Sequence, residues 1–194
     1  MLNILILGAQ GAGKGTQAKR IAGEYEIPHI ATGDILRAAM ADGTELGRQI
    51  KPIYDHGDLV PDELMIAIIA DRLSQDDAAP GFVLDGFPRT LRQADALDPI
   101  LHEIGKELSV VLALLVPDEV GIERMLKRAE IEGRVDDTPE AIAKRLDLYH
   151  RETEPLIERY RARSNVVPVH ADRTVDEVFS EIQDALEQAA VARR

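Results

Sequence analysis

The chain has no cysteine and no tryptophan, and only 4% of its 194 residues are aromatic. Without thiols, neither disulfides nor cysteine-ligated zinc can contribute to stability, and with so few rings the core must be aliphatic. Apolar runs are short. None approaches the roughly 18 residues of a membrane span, and the amino terminus has no basic segment leading into a cleavable apolar one. A cytoplasmic protein with no membrane partner is expected. A basic excess is missing as well: 23 Lys and Arg stand against 35 Asp and Glu, a net charge of -12. General nucleic-acid binders carry the opposite balance, so no nucleic-acid partner is expected. Any site for an anion must then be a local basic cluster on an acidic whole. The five histidines, His29, His56, His102, His150 and His170, are scattered with no paired metal-ligand spacing, which favours surface or packing roles.

What is present is an alternation. Residues 2–7, 82–85, 110–116 and 166–169 are aliphatic runs, with "PHI" at 28–30 as a short fifth, and each reads as a strand buried on both faces of a parallel sheet. Helical patterns over 14–25, 34–41, 44–55, 62–74, 91–104, 119–130, 138–162 and 174–189 separate them, so the fold class is α/β with helices on both faces. The length suits one domain. Three helical patterns lie between the strand near 29 and the one at 82, where a crossover needs one, so 32–61 reads as an inserted helical arm. Asp34 and Asp62 are expected N-caps there, with Gly33 and Gly57 at sharp turns. Gly133 should stop one helix and Thr138-Pro139 restart the next, leaving a small flap between.

"GAQGAGKGTQ" at 8–17 follows the first strand and opens the first helix. It matches G-x-x-x-x-G-K with Gly15 and Thr16 beyond the lysine. Successive backbone N–H groups can curl round phosphate oxygens there, the helix presents its positive end, and Lys14 can reach the terminal phosphates. Side chains would obstruct that curl, which explains the glycines. Motors, switches and kinases all use such loops. No Asn-Lys-x-Asp guanine reader accompanies it, since the only asparagines are Asn3 and Asn165.

Further along stand "ATGDILR" (31–37), "GDLVPDE" (57–63), "LDGFPRTLRQ" (84–93), "GRVDDTPE" (133–140) and "KRLDLYHRETEPL" (144–156). With these words in this order and spacing, the chain resembles the adenylate kinases nearly end to end. The resemblance implies a P-loop NTPase fold with a five-stranded parallel sheet flanked by helices, in a single domain over 1–194. Its core would be 1–31, 62–128 and 138–194, with a nucleoside-monophosphate-binding arm at 32–61 and a short lid at 129–137. It also implies a monomer with ATP, AMP and ADP as partners, in reversible phosphoryl transfer from Mg-ATP to AMP.

Site residues carry over word by word. Gly11, Ala12, Gly13, Lys14, Gly15 and Thr16 would hold ATP, and Arg173 in "HADR" would touch its adenine through the backbone. Thr32 would meet the adenine of AMP and Arg37 its phosphate, while Asp58, Leu59 and Val60 would line the adenine pocket. Gly86, Phe87, Pro88 and Arg89 would cradle AMP, with Phe87-Pro88 as a cis peptide, and Gln93 would read adenine through an amide that both donates and accepts. Arg124 and Arg128, four apart on one helical face, would contact ATP phosphates; Arg134 and Arg145 would reach the transferring phosphoryl group and AMP. The catalytic set so implied is Lys14, Arg89, Arg124, Arg128, Arg134 and Arg145. Asp136 and Asp137 fit lid-closing ion pairs better than catalytic bases. Asp85 can hold magnesium-bound water, with the metal carried mainly by the nucleotide and no zinc.

Two departures stand out. Gln10 occupies a position where the family usually has proline, and the lid is short, with no cysteine to bind zinc. The nearest rival is a UMP or CMP kinase on the same scaffold, against which Gln93 argues because the pyrimidine enzymes typically carry asparagine there. A protein that binds nucleotides without turnover is the rival from another class.

Overall fold

A computed structural model describes residues 1–133, 137–163 and 166–191. Five strands, β1 (Leu2–Gly8), β2 (His29–Ala31), β3 (Gly81–Asp85), β4 (Val110–Leu115) and β5 (Val166–His170), form one parallel sheet in the order β2-β3-β1-β4-β5. Nine α-helices intervene among the described residues: α1 (Lys14–Tyr25), α2 (Thr32–Ala41), α3 (Glu45–Asp55), α4 (Asp62–Leu73), α5 (Leu91–Glu103), α6 (Asp118–Glu132), α7 (Pro139–Leu148), α8 (Pro155–Arg161) and α9 (Val175–Val191).

Side chains alternate along a strand, so each apolar run feeds two cores. Leu5, Leu7, Phe82, Leu84 and Val111 face one layer with Ile69, Leu73, Leu97, Leu101, Leu156 and Tyr160. Ile4, Ile6, Val83, Val110 and Leu112 face the other, with Ala18 and Ile21 of α1 and Val178, Phe179 and Ile182 of α9. Leu36 and Ile50 root the α2–α3 pair in the first layer. There α3 closes on α2 so tightly that a Cβ on Gly47 would stand 2.0 Å from the Ala39 carbonyl oxygen.

The chain runs from β1 out to β2, returns through β3 and then crosses to β4. The direction of winding therefore reverses beside β1, which is where open α/β sheets bind ligands. Asp85 is level with Ile6 and Ala31 across the ladder, and Gly8 with Leu114.

Local expectations fare unevenly. Gly57 (φ 75°) and Gly133 (φ 62°) do sit at left-handed turns, and Thr138 caps α7 with Pro139 as its first residue. Asp34 and Asp62 are not N-caps. Strand β2 passes straight into α2 with Ala31 as cap, and Pro61 caps α4, so each aspartate falls in the first turn and its carboxylate turns to a side-chain partner. Gly33 is helical rather than a turn residue; a Cβ there would stand 3.1 Å from the Arg37 guanidinium. The expected helix over 138–162 is broken by a π turn at Tyr149–Thr153, closed by Glu154 N–H donating to the Tyr149 carbonyl at 2.8 Å. Pro155 explains the break, because it has no N–H to continue the α ladder.

Candidate active site

One cleft opens along the carboxyl ends of β1, β2 and β3, between α2–α3 on one side and α6–α7 on the other. At its floor the loop after β1 turns through Gly11 (φ 80°) and Gly13 (φ 87°), conformations that L side chains rarely adopt. Gly13 caps α1, directing that helix's free N–H groups into the loop. The Lys14 ammonium curls back across the loop and donates to the Gly8 and Ala9 carbonyls at 2.7 and 2.8 Å. Burial, aided by the Arg89 and Arg128 charges and opposed by Asp85, lowers its pKa to about 8.

The loop rests on α6 through an opposed pair of glycines. A Cβ on Gly11 would stand 2.2 Å from the Gly121 carbonyl oxygen, and one on Gly121 would stand 3.0 Å from that of Gln10. Three residues on, Arg124 donates to the Ala171 carbonyl at 2.8 Å and lies 3.4 Å from that of Gly11. The Gln10 side-chain oxygen is buried with no partner among the described residues.

Asp85, at the end of β3, faces the loop. Burial opposes its ionisation most strongly, yet the His29 hydrogen bond and the Lys14 and Arg89 charges together hold its carboxyl below the usual range. His29 Nε2 lies 3.3 Å from Asp85 Oδ2 and the ring lines the cleft, so this histidine is part of the site, beyond the surface or packing role expected of it.

The opposite half is held by side-chain networks. Gly86 (φ 84°) leaves room for the Thr32 hydroxyl, 2.4 Å from where its Cβ would be. Arg89 Nε donates to the Gly86 carbonyl at 2.8 Å, and burial depresses the guanidinium pKa. Arg37 donates to Tyr54 Oη and Asp34 Oδ1, both at 2.5 Å. Arg145 donates to the Tyr54 carbonyl at 3.3 Å and lies over the Tyr54 ring, 5.3 Å from its centroid. Tyr54 thus holds two arginines at once. Asp137, whose side chain is fully buried, joins Arg128 (2.6 Å) to Arg145 (2.8 Å). Gln93 is 2% exposed, far from a solvated glutamine.

The cleft thus gathers Gly11, Gly13, Lys14, Gly15 and Thr16 from the loop, Thr32 and Arg37, Asp58 to Val60, Asp85, Gly86, Pro88, Arg89 and Gln93, and Arg124, Arg128 and Arg145. Not every expected residue brings a side chain to it. The side chains of Ala12 and Phe87 are buried, at 2% and 0% exposure. The Arg173 side chain, of which only a backbone contact was expected, points elsewhere, pairing with Glu181 and donating to the His170 carbonyl at 3.2 Å beside a separate depression. Arg134 and Asp136 lie outside the described residues. The Phe87-Pro88 peptide is cis. Sequence reasoning overlooked His29, Tyr54, Asp62 and Gly121, whose importance lies in partners distant along the chain. Among the described residues no cluster of three or more His, Asp or Glu could hold a metal, and no helix is long and apolar enough to cross a membrane.

Comparison with known proteins agrees with this geometry. A family model described as adenylate kinase matches residues 6–165. The adenylate kinase of Micrococcus luteus is 50% identical over 186 residues, covering 96% of this chain and 91% of that protein. That of a Cyanothece species is 47% identical over 188 residues, covering 97% and 96%. The adenylate kinase of Methanosarcina barkeri is 44% identical over 215 residues, covering 97% and 100%.

Proposed function

The chain belongs to the adenylate kinase family, and from that premise we propose how its cleft performs the reaction. It transfers the terminal phosphoryl group of ATP to the phosphate of AMP, reversibly, giving two ADP. One observation carries the assignment of parts: two differently built anion sites share a single cleft, with Lys14, Arg37, Arg89, Arg124, Arg128 and Arg145 lining it together. Negative charge delivered from both ends can be countered where they meet.

The loop half holds the ATP phosphates through backbone N–H groups, the α1 amino end and Lys14. The other half holds AMP: Arg37 and Arg89 take its phosphate, and Thr32, Asp58 to Val60 and Gln93 surround its adenine. Gln93 also weighs against a pyrimidine acceptor. The AMP phosphate is largely ionised near neutral pH, so attack needs alignment more than a base. Arg128 and Arg145 converge on one buried carboxylate, Asp137. The same spread of guanidinium donors suits the equatorial oxygens of a phosphoryl group in flight.

Magnesium arriving with ATP would neutralise charge on its phosphate oxygens. The single ionised carboxylate of Asp85 fits a hold through water and not a closed protein cage. Water must be kept out, since an open site would hydrolyse ATP. We assign that task to residues 32–61 as a closing arm and 129–137 as a short lid, a motion for which adenylate kinases are themselves a standing example. We also propose that it acts as a monomer in the cytoplasm.

Calorimetry with a dinucleotide of two adenosines joined through five phosphates tests the arrangement. One molecule per chain should bind and exclude both ATP and AMP. Mutual competition between ATP and AMP for a single site would overturn it.

A further inference from the structure

Gln93 lines the cleft, and both ends of its carboxamide are held by groups whose hydrogen-bonding sense cannot reverse. Its Oε1 accepts from the Arg89 backbone N–H at 2.8 Å, and its Nε2 donates to Asp62 Oδ1 at 2.7 Å. An amide N–H only donates and an ionised carboxylate only accepts, so a single orientation of the amide satisfies both.

Each partner is itself fixed. Thr90 Oγ1 donates to the same Asp62 oxygen at 3.0 Å and accepts from the Gln93 backbone N–H at 3.2 Å, as the cap of α5. Thr153 Oγ1, from the π turn, donates to the Arg89 carbonyl at 2.8 Å. Asp62 is the first residue of α4, just beyond the Asp58 to Val60 stretch that lines the cleft.

A carboxamide offers two N–H donors and two acceptor lone pairs. These contacts use one of each, leaving one N–H and one lone pair on a side chain that lines the cleft. We propose that Asp62 is a specificity-determining positioning residue, which locks the polarity of Gln93 and so makes the cleft select a 6-aminopurine monophosphate over a 6-oxopurine one. The inference rests on the reading of this half as the AMP pocket.

The discrimination follows from the base edges. A 6-aminopurine presents an unprotonated ring nitrogen beside an amino donor, which matches the leftover N–H and lone pair. A 6-oxopurine presents a ring N–H beside an oxo acceptor, in the reverse order. Accepting it requires the amide to turn over, which sets an N–H against the Arg89 N–H and a carbonyl against the Asp62 carboxylate. Sites that hydrogen-bond a substrate group reject its mismatch far better than apolar pockets do.

The test compares kcat/KM for AMP and IMP, with ATP as donor, in the unaltered chain, Asp62→Ala and Asp62→Asn. The unaltered chain should prefer AMP. Asp62→Ala should lower the AMP:IMP ratio about tenfold or more, the size expected for a hydrogen bond to a charged group, mainly through KM for AMP and with KM for ATP unchanged. Asp62→Asn, which keeps the shape but can donate as well as accept, should lower it less. Equal proportional losses for both nucleotides would mark a merely structural role and overturn the inference, as would an unaltered chain indifferent between AMP and IMP. Should Asp62→Ala fail to fold, an unchanged ratio in Asp62→Asn overturns it. Failure of the unaltered chain to form ADP from ATP and AMP would instead defeat the functional reading itself.

Discussion

On the function proposed above, the two halves of the cleft would hold similar ligands by dissimilar means. Around the phosphate loop the donors would be mostly main chain, with Lys14 the one cationic side chain that the loop itself contributes. Across from it, Arg37, Arg89, Arg145 and Gln93 would do the holding, each steadied by another side chain or carbonyl: Tyr54 and Asp34, Gly86, Asp137, Asp62. A main-chain site is set by local backbone geometry and has little freedom to vary. A side-chain site can be tuned, and depends on partners contributed by other elements. The first should respond to mutation in a nearly all-or-none way, the second in graded and selective ways.

Lys14→Ala should have the largest effect, because Lys14 is the one cationic side chain contributed by the loop itself. A fall in kcat/KM of about 10³-fold is expected, with AMP affinity by calorimetry and the circular dichroism spectrum unchanged. Loss of AMP binding in step with activity would break the contrast between halves. Tyr54→Phe should act on the other half alone. Removing the hydroxyl takes one hydrogen bond from Arg37 while the ring and carbonyl beside Arg145 remain, so KM for AMP should rise about tenfold with KM for ATP unchanged. Steady-state titration of each nucleotide at saturating partner separates the two; a rise in both would erase the distinction.

The mildest effect is one of pH. With the Lys14 pKa near 8, bound phosphates favour the charged amine and raise that value, so ATP binding should take up roughly half a proton near pH 8. Calorimetry in buffers of different ionisation enthalpy measures the uptake, which should vanish in Lys14→Ala. The consequence for stability has the opposite bias to a salt bridge. An unfolded lysine titrates near 10.5, so between about 8 and 10.5 the unfolded chain holds more protons and this group's contribution to stability rises with pH. Below 8 its penalty stands in full. Uptake that persists without Lys14 would place the proton elsewhere.

The same contrast explains what could be read from the letters. The loop, the strands and most helices announce themselves, because backbone turns need glycine and buried strands need aliphatic runs in short contiguous stretches. Asp62 and Asp34 were expected to cap helices because their neighbours suit a cap; the carboxylates answer instead to Gln93, 31 residues on, and to Arg37. Tyr54 carries no local mark of the two arginines it holds. His29 looks like any strand-end histidine until β2 pairs with β3 and brings it beside Asp85. The interruption at Tyr149–Thr153 has a visible cause in Pro155, yet helical periodicity on both sides masks it.

The meeting of Gly11 and Gly121 bears on how this lineage can change over generations. At either position the obstacle to a methyl group is main chain, so no trimmed side chain nearby makes room for it. Larger residues there demand that α6 retreat as a whole, carrying Arg124 and Arg128 away from the cleft. Drift in the loop and drift along α6 are therefore tethered in descent, and neither surface can wander ahead of the other.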